Sequence, residues 1–163
     1  MTPITIRPAT IDDVPTLLGL IRELAVYERA SDAVVATEED LRRHGFGAER
    51  RFEALLAFAD RRPAGFVLFF PNFSTWLGKP GLYLEDIFVA EWARKLGVGR
   101  RLMGRLATIT LERGWGRVDF SVLRWNPARE FYHRLGIDHL EEWLPYRASQ
   151  AALKALAKED KRE

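Results

Sequence analysis

The 163-residue sequence predicts a single domain, residues 1–163, of the α/β (α+β) class: a mixed central sheet of about seven strands with helices on both faces. Three observations predict it. The apolar residues switch repeatedly between strand-like alternation and helical spacing. No internal repeat, low-complexity tract or linker divides the chain. Hydrophobic residues make up 47% and aromatic residues 12%, enough for a packed core in a chain of this length.

The elements follow in order. "TPITIRPA" alternates and reads as a first strand. "TIDDVPTLLGLIRELAVYERA" opens with a capping pattern at Thr10 and Asp13, and Val14, Leu17, Leu18, Ile21, Leu24 and Ala25 then keep helical spacing. A second helix starts at Thr37, where "TEEDLRR" again has an acid three places on, and "HGFG" stops it. "RFEALLAFAD", a turn at "RRP" and "AGFVLFFPNF" read as an antiparallel hairpin, and "GLYLEDIFVA" as another strand. From Gly99 a stripe of Leu102, Met103, Leu106, Ile109 and Thr110 makes a helix ending near "RGWG". "GRVDFSVLR" is a strand. "NPAREFYHRLG" is a short helix with Asn126 as cap, Pro127 in the first turn and Gly136 just past the end. "IDHLEEWLPYRAS" holds two short strands, and "QAALKALAKEDK" closes with a helix. The order is β-α-α-β-β-β-α-β-α-β-β-α.

Composition narrows the chemistry. With 25 basic and 23 acidic residues the formal charge is +2, too small an excess to point to nucleic acid or a membrane surface. There is no cysteine, so disulfides, zinc–thiolate sites and a cysteine nucleophile are excluded. His44, His133 and His139 show no metal-ligand spacing with carboxylates, and no metal is expected. No stretch approaches the roughly 20 apolar residues of a membrane span, and "MTPITIRPAT" is not a leader, so the expectation is a soluble cytoplasmic protein.

Two stretches carry the chemistry. In "ARKLGVGRRL", a strand gives way to a helix through Gly97 and Gly99, with Arg94, Lys95, Arg100 and Arg101 around them. The first amides of a helix lack intrahelical partners and favour negative charge, so a pyrophosphate would suit the turn; a plain tight turn into a helix fits the same residues. A P-loop fails because Arg100 rather than Lys–Ser/Thr follows Gly99, and a dinucleotide fingerprint fails because it needs three glycines after an N-terminal strand. In "LYLEDIFV", alternation puts Leu82, Leu84, Asp86 and Phe88 on one face and Tyr83, Glu85, Ile87 and Val89 on the other, one carboxylate on each. Buried carboxylates are costly unless paired or working.

The pattern Arg94-Lys95-Leu96-Gly97-Val98-Gly99 resembles the acetyl-CoA pyrophosphate loop of the GNAT N-acetyltransferase superfamily. The stretches "IRPAT", "IRELAVYE", "HGFG", "TWLGKPGLYLEDIFV" and "RWN...FY" resemble more closely the diamine (spermidine/spermine) and thialysine acetyltransferases, over about residues 4 to 143. The resemblance implies a GNAT-type, mostly antiparallel sheet and transfer of an acetyl group from acetyl-CoA to a primary amine. It implies coenzyme contacts at Ile87, Phe88, Val89, Arg94, Lys95, Leu96, Gly97, Val98, Gly99, Arg100, Asn126 and Tyr132. Lys95 stands where those relatives often have glycine; with Gly97 and Gly99 kept, little effect is expected.

The same resemblance makes Glu85 the general base. An alkylammonium has a pKa near that of lysine, roughly 10, and must lose a proton before it can attack a thioester. Tyr132 matches the family's general acid, which protonates the departing thiolate, although Ala128, Phe131, Tyr132 and Leu135 also form an ordinary core stripe. Acceptor contacts are expected from Tyr27, Glu28, Trp76, Glu85, Asp86 and Glu141 or Glu142, acids and aromatic faces suited to ammonium groups. Arg124 stands where the family tends to carry an acid. Pointing into the acceptor groove it would repel a second ammonium or welcome a substrate carboxylate; pointing outward it would do neither. A homodimer follows from the resemblance, and a small amine is the expected partner. The alternatives are a protein lysine or N-terminal acetyltransferase, and a non-catalytic acyl-CoA-binding sensor.

Overall fold

A computed structural model describes residues 2–161. They form two compact units, one running through Ser121 and one beginning at Val122. The first contains β1 (Ile4–Pro8), α1 (Val14–Tyr27), α2 (Glu38–Leu41), β2 (Glu53–Ala59), β3 (Arg62–Ser74), β4 (Lys79–Val89), α3 (Val98–Glu112) and β5 (Val118–Asp119). Its sheet has the order β1-β2-β3-β4-β5, antiparallel except for the β4/β5 pair.

Local chemistry sets the helix starts. Asp13 Oδ2 accepts from the Thr10 backbone N–H (2.7 Å), and one tight turn then leads into α1. Asp13 also takes the Arg7 guanidinium as a fork (2.6 and 2.8 Å), fastening β1 to the helix entry. That arginine holds the Asp13 carboxyl well below the usual carboxylate range. At α2, Thr37 and Asp40 exchange the reciprocal bonds of a capping box (2.8 and 3.2 Å). The β2–β3 turn falls at Asp60 and Arg61, both left-handed (φ 51° and 64°), rather than at Arg61–Pro63.

Each face of the sheet is covered by one helix. Val14, Leu17, Leu18, Leu20 and Leu24 of α1 pack with Leu56, Phe66, Leu68 and Phe88. On α3, Val98, Leu102, Met103, Leu106, Ile109 and Thr110 are buried, which includes every position of the expected stripe. The second unit carries α4 (Ala128–Arg134) and α5 (Gln150–Leu156).

The mixed α/β class and the elements through α4 stand as expected, with five strands among the described residues instead of about seven. The strand expected over residues 116–124 is regular only at Val118–Asp119. The two short strands expected within residues 137–149 are not formed. An extended segment becomes a strand only when a neighbour accepts its backbone bonds, and the described residues of the second unit contain no other strand to do so.

Candidate active site

The acidic part of the site rests on an irregularity in β4. Phe66, Val67 and Leu68 of β3 face Phe88, Ile87 and Asp86, but the next residue, Phe69, faces Leu84. Glu85 is the extra residue of a β-bulge, and it is exposed. The bulge overturns the simple alternation expected for this strand. Leu82 and Leu84 lie on the face of Val67 and Phe69, whereas Asp86 and Phe88 lie on the opposite face with Leu68 and Phe66, against α1.

This places Asp86 beside the C-terminal end of α1. Its half-buried carboxyl is pushed up to about 6, first by loss of solvent and then by the charges of Glu85 and Glu28. Burial also pushes the Glu28 carboxyl upward. Glu28, Glu85 and Asp86 thus form one acidic cluster that a bound ammonium would stabilise. Tyr27, the last residue of α1, carries the Arg94 guanidinium against its ring, 4.6 Å from the centroid.

On its other edge β4 pairs with β5 only at Leu82/Val118 and Tyr83/Asp119, with the Leu82 N–H bonded to Arg117 O (2.9 Å). Among the described residues, β4 continues to Val89 without a strand on that side. The Ala90 N–H donates towards β3, to Ala64 O (2.9 Å). Alternation therefore turns Phe88 to β3 and the N–H groups of Ile87 and Val89 to the open edge. Of the three residues expected to offer amides to a coenzyme, Phe88 is thereby corrected: its N–H faces β3 and its ring lies in the α1-side core.

The chain then enters the glycine turn. Gly97 is left-handed (φ 88°), and the first helical bond runs from the Arg101 N–H to Gly97 O (3.1 Å). The N–H groups of Val98, Gly99 and Arg100 precede it and have no intrahelical acceptor. Arg101 is drawn off to β1, where it donates to Ile4 O (2.7 Å), so it is not part of the charge around the turn. Lys95 adopts φ 69°, a conformation that favours glycine.

In the second unit, Asn126 Oδ1 accepts from the Ala128 N–H (2.9 Å) at the start of α4. Tyr132 is buried, edge-on to Phe131 at 5.2 Å, and Gly136 ends the helix at φ 75°. The Arg124 side chain is exposed, and its carbonyl accepts from Arg129 (3.2 Å). Glu141 and Glu142 are exposed in the irregular segment that follows. Trp76, 92% exposed, sits at the tip of the β3–β4 hairpin. From Lys79 to Asp86 alone β4 extends roughly 23 Å, so Trp76 lies far from the acidic cluster of its own chain.

Sequence reasoning missed the bulge. No glycine marks it: Gly65, where a Cβ would lie 2.4 Å from Phe88 O, lets β3 and β4 approach closely opposite Val89, away from the slip between Leu68 and Phe69.

The sheet thus opens beside β4 next to a glycine turn, with Glu85 and Asp86 on β4 itself and Glu28 at the end of α1. The model of the acetyltransferase (GNAT) family matches residues 20–137, and the chain belongs to that family as an N-acetyltransferase. It is 36% identical over 169 residues to the thialysine N-epsilon-acetyltransferase of Bos taurus, covering 96% of this chain and 99% of the relative. To the L-ornithine N5-acetyltransferase of Arabidopsis thaliana it is 33% identical, covering 94% and 87%. Among solved structures, an integron cassette protein from the mobile metagenome of V. cholerae superimposes with a TM-score of 0.80 at 28% identity, covering 97% of this chain and 99% of that one. Among the described residues no helix is long and apolar enough to cross a membrane, and no group of His, Asp or Glu could hold a metal ion.

Proposed function

We propose that the protein transfers an acetyl group from acetyl-CoA to a primary amine of a small polyamine or lysine-like amino acid, by direct attack within a ternary complex. The observation that carries this reading is the cluster of Glu28, Glu85 and Asp86 beside the open edge of β4. Acetyl-CoA supplies the activated thioester. The chain offers it the N–H groups of Ile87 and Val89 along the pantetheine arm. Val98, Gly99 and Arg100 amides, with Arg94, Lys95 and Leu96, surround the diphosphate, and Asn126 adds a further contact. Such a donor set fits an extended, anionic carrier.

Glu28 and Asp86 hold the acceptor ammonium, with the Tyr27 ring beside them. Glu85, exposed on the bulge, takes the proton from the amine, and Asp86, raised to about 6, is suited to share that role near neutral pH. Tyr132 gives a proton to the departing sulfur. With no cysteine in the chain, an acyl-cysteine route is closed, which favours direct attack. Relatives named for thialysine and ornithine favour an amino-acid acceptor, with Arg124 meeting its carboxylate. We place the enzyme in the cytoplasm as a homodimer. The exposed Trp143, Leu144 and Tyr146 are surface that a second copy would bury, and Trp76 and Glu141 would meet the acceptor in that assembly.

The test is thiol release from acetyl-CoA over a panel of putrescine, spermidine, spermine, lysine, ornithine, thialysine and a lysine-containing peptide. Turnover with the amino acids assigns Arg124 to their carboxylate. Turnover with polyamines means that it points away. Turnover only with the peptide overturns the small-amine reading in favour of protein acetylation. Silence across the panel, with tight coenzyme binding, overturns it in favour of a sensor.

A further inference from the structure

Arg94 stands between the two halves of this site. It belongs to the loop that precedes the free amides of α3, yet its guanidinium lies over the ring of Tyr27 at the end of α1, 4.6 Å from the ring centroid. Its Nε is directed at Val89 O, 3.4 Å away, at the end of the open β4 edge. A permanent cation therefore rests on the aromatic ring adjoining Glu28, where an acceptor ammonium would also be attracted.

We infer that Arg94 couples the two substrates: while it stacks on Tyr27 it opposes the acceptor cation, and a coenzyme diphosphate draws it away and opens the acceptor site. The inference rests on the acetyl-transfer reading above. Two effects act in the same direction. The stacked guanidinium covers one face of the ring, and its charge repels an incoming ammonium; a diphosphate neutralises the charge and offers Arg94 stronger, bidentate bonds. Coupling between binding sites is reciprocal, so the stack that weakens amine binding also weakens coenzyme binding. The amine need not touch Arg94 for this to hold.

Calorimetric titrations of the full chain test it, with spermidine and thialysine as amine probes and coenzyme A, which has no acetyl group to transfer. The wild type should bind the better probe about tenfold more tightly with saturating coenzyme A than without it, within the usual range of such coupling. Arg94→Gln should bind that probe without coenzyme nearly as tightly as the wild type does with it, and should lose the dependence on coenzyme A. Tyr27→Leu, by releasing Arg94, should bind coenzyme A about three- to tenfold more tightly, which a merely structural role for Tyr27 would not produce. Equal amine affinity with and without coenzyme A, or coupling unchanged in Arg94→Gln, overturns the inference and leaves the acetyl-transfer reading standing. Failure of the wild type to bind coenzyme A overturns both.

Discussion

Replacing Asp86 with asparagine separates the cost of this carboxylate from its use. In the folded chain the carboxyl is pushed from 3.8 to about 6 by loss of solvent and by Glu85 and Glu28. The folded state therefore holds this proton more tightly than the unfolded state. Stability from the protonated group is fully present below about pH 4 and is lost as the pH rises through about 6. At about 1.4 kcal/mol per pH unit the whole span is worth about 3 kcal/mol, and solvent reaching the half-buried site brings it to about 2–3 kcal/mol. Asp86→Asn removes the ionisation while nearly keeping the shape. At pH 7.5 it should stabilise the protein by that amount, roughly 5–10 °C in melting temperature. At pH 4 the gain should shrink to about 0.5 kcal/mol. Urea and thermal unfolding of both proteins at the two pH values measure this directly. No gain at pH 7.5, or the same gain at both, would refute the reasoning, the second outcome pointing to packing instead of charge. On the proposal that Asp86 holds the acceptor ammonium, the stabilised variant should also lose most of its turnover.

Glu85→Gln, on an exposed bulge, should change stability by less than about 0.5 kcal/mol and lower turnover by about a hundredfold or more; loss of coenzyme A binding by titration would make Glu85 structural instead. Tyr132→Phe should keep the far-ultraviolet circular dichroism spectrum and lower turnover by about a hundredfold, whereas unchanged activity would return Tyr132 to the core stripe. Lys95→Gly, at φ 69°, should raise stability in urea by about 0.5–1 kcal/mol, the relief of left-handed strain less the extra freedom of glycine in the unfolded chain; a loss would mean that the side chain makes contacts that outweigh the strain.

The features decided within a few residues of themselves were legible in the sequence. Thr10 with Asp13, and Thr37 with Asp40, cap their helices because the partners are three residues apart in any chain that turns there. The stripe from Leu102 to Thr110 needs only helical spacing to share one face, and Gly97 and Gly136 take the positive φ that a glycine at those boundaries permits. The acids of β4 and the glycine turn were legible as chemistry for the same reason: residue type and spacing suffice to name them.

Tertiary structure alone decided how those pieces meet. Glu85 and Asp86 are adjacent in the chain, and only the register against β3, slipped by one residue between Leu68 and Phe69, sends Asp86 to the side where Glu28 waits. Arg94 and Arg101 look equivalent in the sequence, yet one lies on Tyr27 and the other on the carbonyl of Ile4, because each reaches whatever the folded chain brings near. Residues 137–149, expected to hold two short strands, find no strand among the described residues of their own unit to complete a ladder. A helix satisfies its backbone from residues four places away, whereas a strand, and any site built across strands, depends on groups distant in sequence. The sequence therefore determined the reagents of this enzyme, and the pairing of the sheet determined which of them share a site.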